Sequence, residues 1–330
     1  MPIWIALLLC IVFASPSAAQ QRLNSIEIKK VLTSQGNVLR LLDPQLRQLI
    51  EMTYTPARGG GGIISDTLAF PWRYIGYLEF PLSDNVNVTC TGTMLSPHIV
   101  LTAAHCLYKE DSGYLTDVTF VPGRNAGMAP LGRFKAKKIL LLQPITGKLD
   151  LNTDFGFVIL ENSPFPDASK ERFVPVGVVD ERHFEGGGMP LAVVAAGYPT
   201  DASEGVNRGL LTVATSSVYR NTPPEKISYI NNEGRRETMA VDNQFEHRAF
   251  TERGTSGGPV FVYHPGYNQF ALVGLISNKR DYLDQQTGSI TDSWAVAIKI
   301  NTLTQGAIQR ALRQYEPKQK TPTTNRTTNR

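Results

Sequence analysis

The 330-residue sequence is poor in cysteine, with three, and in histidine, with five, and after its first 19 residues it has no long apolar run. A membrane-spanning helix needs about 20 consecutive apolar residues, so a spanning segment is not expected in the body of the chain. None of the five histidines has a neighbour at metal-ligand spacing, which argues against a catalytic metal. A basic surplus is also missing where it would matter. The formal charge is +4, yet residues 1–62 carry six Lys/Arg against three Asp/Glu and residues 316–330 carry four against one. The stretch between them carries 23 basic against 25 acidic residues, which points away from nucleic acid and from acidic partners. No repeat of 20–50 residues is present. Gly59–Gly62 is followed by no Lys-Ser/Thr, so it is not a phosphate loop.

What is present begins with Trp4–Ala14, an apolar run too short to span a membrane, followed by the small residues Ser17-Ala18-Ala19. Residues 1–19 therefore read as a secretory signal peptide, although a basic residue at the very start is absent. Secretion places the protein outside the cytoplasm, extracellular or periplasmic, with no membrane attachment once the signal is removed. Cys10 leaves with that segment. Cys90 and Cys106 remain, an even count suited to one disulfide in an oxidising compartment; two buried thiols are the alternative.

Residues 20–58 show partial helical spacing through Leu41, Leu42, Leu46, Leu49 and Ile50, and Gly59–Gly62 reads as a linker. Residues 20–62 are accordingly expected to be a propeptide with a glycine-rich, cleavable end, removed by another, processing protease. From Ile63 to about Ile300 the pattern changes to short runs such as "RYIGYLEF", "HIVLTAA", "FGFVIL", "PVFVYH" and "SWAVAIKI", broken by Gly, Pro, Asn and Asp. Short runs rich in Val, Ile, Phe and Tyr predict an all-β barrel or sandwich. Residues 301–315 return to helical spacing through Leu303, Ile308 and Leu312, with Asn301 or Thr302 as cap. Residues 316–330 form a polar, low-complexity tail.

Three segments carry chemistry. "VLTAAHC" places His105 after a strand-like run, "NTDFGFVIL" places Asp154 at the head of an apolar strand, and "GTSGGPV" sets Ser256 among glycines. A hydroxyl is a weak nucleophile at neutral pH unless a base takes its proton, and the base needs a carboxylate to hold its tautomer. Glycines beside the serine let backbone N–H groups approach a developing oxyanion. Asp117 and Asp150 also lie between His105 and Ser256, but only Asp154 opens an apolar strand. The remaining histidines, His98, His183, His247 and His264, sit in turn-like or strand-end contexts that suggest the surface.

In the order His, Asp, Ser these segments resemble the chymotrypsin-like serine proteases over roughly residues 63–315. The resemblance implies an all-β fold of two six-stranded antiparallel barrels, with their boundary near residues 165–190 and a C-terminal helix. It implies catalysis by His105, Asp154 and Ser256, an oxyanion hole from the N–H groups of Gly254 and Ser256, and a disulfide between Cys90 and Cys106. Ile276, Ser277 and Asn278 would pair with an extended protein or peptide substrate. A monomer without cofactor is expected.

Two departures bear on the branch. Many animal digestive members carry Asp immediately before the catalytic Ser, where it takes the new N-terminal amine; here Thr255 stands there. Thr255 and the segment "AAGYPTD" resemble the secreted bacterial relatives, including the glutamyl endopeptidases. The position six before Ser256 is Phe250 rather than the Asp of trypsin-like enzymes, so a cationic side chain would be buried unpaired. Thr251 matches a pocket hydroxyl of the glutamyl branch, whereas Ile276 stands where that branch has His. Arg253, Lys279 or Arg280 would have to supply positive charge, so glutamate and apolar preferences both remain open. "GTSGG" also satisfies the nucleophile elbow of α/β-hydrolases, but a strand-like run follows the Ser and no suitably placed His does. A protease-shaped binding protein without activity is the other alternative; it would ordinarily lack one of the three catalytic residues.

Overall fold

The computed structural model describes residues 54–56, 62–80, 88–109, 113–141, 151–178, 192–200, 209–221, 225–230, 236–241, 243–247, 252–264, 269–283 and 287–316. In chain order the strands are β1 (Tyr54–Pro56), β2 (Gly62–Ile64), β3 (Ile75–Phe80), β4 (Val88–Met94), β5 (Ile99–Thr102), β6 (Tyr108–Lys109), β7 (Gly113–Tyr114), β8 (Thr119–Pro122) and β9 (Phe134–Leu141). They continue with β10 (Gly156–Leu160), β11 (Ala192–Gly197), β12 (Thr212–Asn221), β13 (Glu225–Ile230), β14 (Arg236–Val241), β15 (Gln244–His247), β16 (Pro259–His264), β17 (Gln269–Leu283) and β18 (Ile290–Lys299). One α-helix, α1 (Thr302–Tyr315), closes the described chain.

The first barrel closes in the order β10-β5-β4-β3-β8-β9. Every residue of β5 and of β10 is buried, as expected for the continuous apolar runs "IVLT" and "GFVIL". The second half is an eight-stranded sheet in the order β1-β2-β12-β11-β16-β17-β18-β15, and β15 also pairs with β12. Six of its strands therefore return on themselves as a second antiparallel barrel, with β2 and β1 added along the start of β12. The hairpins β6–β7 and β13–β14 stand apart from both. One apolar cluster runs through both barrels, from Leu78, Val100 and Phe120 to Val194, Tyr198, Leu272 and Ile298. The seam between the barrels is thus part of the core, and the groups lining it are held by packing on both sides.

Some expectations change. Gly62 lies in β2 rather than in a linker, opposite Pro56 and Val213, because pairing with β12 offsets the entropy that a glycine strand position costs. Tyr54–Pro56, beyond the residues whose spacing is helical, is extended as the partner strand of β2. His247 is fully buried rather than on the surface, since β15 is flanked by β12 on one side and β18 on the other. Burial alone pushes its pKa down to about 3, so it is a neutral core histidine. The signal segment, most of the expected propeptide, Phe250, Thr251, His183 and the tail beyond Glu316 lie outside the described residues.

Helix α1 starts where Asn301 Oδ1 accepts from Thr304 N at 3.0 Å, a cap worth about 1 kcal/mol. It buries Thr304, Ala307, Ile308 and Ala311, while Leu303, expected in the apolar stripe, is 52% exposed. At its far end Glu316 accepts from Ser96 Oγ and, at 3.2 Å, from His98 N. The helix that follows the second barrel is therefore tied to the β4–β5 turn of the first. Among the described residues no helix is long and apolar enough to cross a membrane.

Candidate active site

The three chemistry-bearing segments converge on the seam. His105 sits in a single 3-10 turn, Ala104–Cys106, directly after β5. Asp154 follows a second 3-10 turn, Leu151–Thr153, and leads into β10, which pairs with β5. Adjacent strands of one barrel thus deliver the imidazole and the carboxylate. His105 Nδ1 lies 2.8 Å from Asp154 Oδ2, and His105 N donates to Asp154 Oδ1 at 2.9 Å. Asp154 is fully buried, and Ser277 Oγ of β17 donates to its Oδ2 at 2.5 Å. The imidazole is 38% exposed.

Burial works against an imidazolium at His105. The charge and the hydrogen bond of Asp154 outweigh it and hold the His105 pKa above the ordinary value. For Asp154, burial favours the neutral acid. The His105 charge and the donors His105 and Ser277 prevail and hold its pKa below the ordinary carboxylate value. The carboxylate is therefore ionised at neutral pH, and it presents an oxygen to Nδ1–H, which leaves the other ring nitrogen as an acceptor.

Ser256 comes from the second barrel, in the turn just before β16. Its Oγ donates to Ser277 O at 3.3 Å. The turn needs glycine at defined places. Gly254 has φ +90° and a Cβ there would meet Tyr198 O at 2.4 Å; Gly257 has φ +79° and would meet Thr102 Oγ1 at 2.1 Å. The N–H groups of Gly254 and Ser256 donate to no acceptor among the described residues, while their neighbours Thr255, Gly257 and Gly258 donate to Glu252 O, Ile276 O and Thr255 O. Two unsatisfied donors beside a hydroxyl are an anion-binding arrangement.

The strand-forming residues divide. Both backbone groups of Ile276 are taken by the serine turn, with Gly258 O and Gly257 N, and its side chain lies in the second barrel's core. It supports the site from behind and does not offer a binding surface. Ser277 and Asn278 are placed differently. β16 begins at Pro259, opposite Leu275, so from Ser277 onward β17 is paired only with β18 among the described residues. Two of the three cations considered for an acidic substrate are engaged: Arg280, 12% exposed, pairs with buried Glu246 and donates to Gln244 Oε1 at 2.9 Å, and Lys279 pairs with Asp281 at 2.9 Å; Arg253 is exposed beside the Ser256 turn.

Cys90 and Cys106 are joined in a disulfide that links the start of β4 to the His105 turn. With His105 they form a cluster of metal-ligand residue types whose ligand atoms lie within 4.8 Å of one another. A metal needs thiolates, and these sulfurs are bonded to each other; His105 Nδ1 is engaged by Asp154. The cluster does not suit an ion. Sequence reasoning missed the donor role of the Ser277 side chain toward Asp154, and it missed Thr91 altogether. No local signal marks either residue.

Two antiparallel barrels with His, Asp and Ser brought to their seam in that chain order define the architecture of a chymotrypsin-like serine protease. The family model described as Trypsin matches residues 66–303, and the chain belongs to the trypsin family. It is 33% identical over 102 residues, 31% of this chain, to an extracellular metalloprotease of Bacillus subtilis. It is 28% identical over 200 residues, 60% of this chain, to a glutamyl endopeptidase of Bacillus licheniformis. The chain spans 33% of the first relative's length and 51% of the second's. A solved structure of a Glu endopeptidase in complex with MPD superposes with a TM-score of 0.54 at 17% identity, covering 77% of this chain and 97% of that one. That likeness concerns the fold.

Proposed function

We propose that the protein is a secreted serine endopeptidase that cleaves protein or peptide substrates through an acyl-enzyme. The observation that carries this reading is the hydrogen-bonded line Ser277–Asp154–His105, joined through Ser277 O to Ser256 Oγ, whose turn presents two free N–H groups. Ser256 Oγ attacks the scissile carbonyl and His105 takes its proton. Asp154 holds the imidazole tautomer and stabilises the imidazolium. The N–H groups of Gly254 and Ser256 receive the oxyanion. Collapse of the tetrahedral adduct breaks the C–N bond as His105 returns the proton to the leaving amine; water then repeats the sequence on the ester.

The open side of β17 suits an extended peptide added as a strand. A substrate N–H that takes Ser277 O displaces the Ser256 hydroxyl from that carbonyl and frees it to turn to His105. The apolar run at the start of the chain and the similarity to an extracellular protease of Bacillus subtilis support secretion; a propeptide removed from within residues 20–62 is part of the same proposal. The decisive experiment compares wild type and Ser256→Ala on fluorescent casein. Turnover should fall on the order of 10⁶-fold, and a fluorophosphonate should label Ser256 and nothing else. Casein hydrolysis by Ser256→Ala at the wild-type rate refutes the assignment.

A further inference from the structure

The Ser256 turn, with threonine before the serine, is held at each of its carbonyls. Five consecutive carbonyls are each fixed. Glu252 O accepts from Thr255 N at 3.1 Å and from Thr255 Oγ1 at 2.7 Å. Arg253 O accepts from Thr200 N at 2.8 Å and from Thr200 Oγ1 at 3.0 Å. Gly254 O accepts from Thr91 Oγ1 at 2.8 Å. Thr255 O accepts from Gly258 N at 2.9 Å, and Ser256 O from Thr91 N at 2.8 Å.

A planar trans peptide unit points its N–H opposite to its C=O. Fixing Arg253 O toward Thr200 therefore aims Gly254 N–H away from Thr200, and fixing Thr255 O toward Gly258 aims Ser256 N–H away from Gly258. The unit between them, Gly254–Thr255, shares a Cα with each. Were it to turn over, its carbonyl would enter the space that the two N–H groups face, and an anion there would meet repulsion. Two bonds oppose this: Thr255 N at the unit's other end donates to Glu252 O, and Gly254 O is held by Thr91, which comes from the other barrel. It is fully buried on β4, and its hydroxyl donates to Gly254 O while accepting from Tyr198 N at 2.9 Å. Its own carbonyl is steadied by Thr102 Oγ1 at 2.8 Å. Every polar group of Thr91 is thus engaged.

We propose that Thr91 is a positioning residue for the oxyanion turn: its buried hydroxyl, reaching from the first barrel, holds the Gly254–Thr255 peptide unit so that the N–H groups of Gly254 and Ser256 converge without help from a new N-terminal amine. This rests on the serine endopeptidase reading. It also gives Thr255 its place. The side chain that cannot take an amine bonds back to Glu252 O within the same turn, and the bracing that an ion pair would supply comes from threonine hydroxyls.

The test compares the secreted, active enzyme with Thr91→Val, Thr91→Ser and Thr304→Val on a peptide anilide matching a site the wild type cuts in casein. Thr304 is an equally buried threonine whose hydroxyl bonds Lys299 O at the start of α1, remote from the turn. Thr91→Val should lower kcat roughly 10- to 100-fold, less than outright deletion of an oxyanion donor, with KM unchanged. Thr91→Ser should restore kcat to near wild type, and Thr304→Val should leave it unchanged. The proposal is overturned if Thr91→Val keeps wild-type kcat, if Thr304→Val loses as much, or if serine fails to rescue. Should Thr91→Val not fold, Thr200→Val removes only the hydroxyl that reinforces Arg253 O. A several-fold loss in kcat at constant KM supports the bracing, and full kcat overturns it. A wild-type enzyme inactive on casein would instead refute the endopeptidase reading itself.

Discussion

Removing the disulfide should weaken the fold and the site together. The perturbation is Cys90→Ala with Cys106→Ala; alanine avoids burying two hydroxyls without partners. The bridge closes a loop between residues 16 apart in sequence. In the chain-entropy treatment a loop of that length contributes about 3 kcal/mol. Both sulfurs are buried, so each truncation adds about 1 kcal/mol for lost packing. The total, roughly 5 kcal/mol, corresponds to a fall in Tm of about 10–20 °C for a domain of this size. Location adds a functional effect, since Cys90 precedes Thr91 and Cys106 follows His105. Slack at both ends of the loop loosens the base and the brace of the oxyanion turn, so kcat measured well below the new Tm should drop several-fold. Calorimetry together with casein turnover at 25 °C reads both effects. A Tm within about 4 °C of wild type, or intact kcat beside a large Tm loss, would refute the reasoning.

Asp154→Asn should lower kcat by about 10⁴, because an amide presents the wrong partner to Nδ1 and fixes the unproductive tautomer. The sign of the pH effect follows from the same contact. Asp154 raises the His105 pKa, so activity, which needs the neutral base, is lost as pH falls through a value above that of free imidazole. In Asp154→Asn the acid limb of the residual activity should move to lower pH; a limb that stays in place would show that another group sets it. N-terminal sequencing of the active secreted enzyme should find a start between Gly59 and Ile64, whereas a start at Gln20 or Gln21 would reject the propeptide.

The all-β class and the segments bearing His105, Asp154 and Ser256 were legible in the sequence because each is a local pattern. A short apolar run, a turn and a reactive side chain lie within seven or so residues, and backbone geometry keeps such neighbours together whatever the rest of the chain does. The capping of α1 by Asn301 is legible for the same reason. Contacts across the seam were not. Ser277 and Asp154 are 123 residues apart, Thr91 and Gly254 are 163 apart, and no periodicity announces either pairing. Burial of His247 also escaped, since it depends on strands contributed from distant parts of the chain. By itself the sequence determined which residue types are available for acyl transfer and on which local elements they sit. Closure of the two barrels against one another decided which hydrogen bonds those residues make, because directional bonds between distant segments exist only once packing has brought the segments into register.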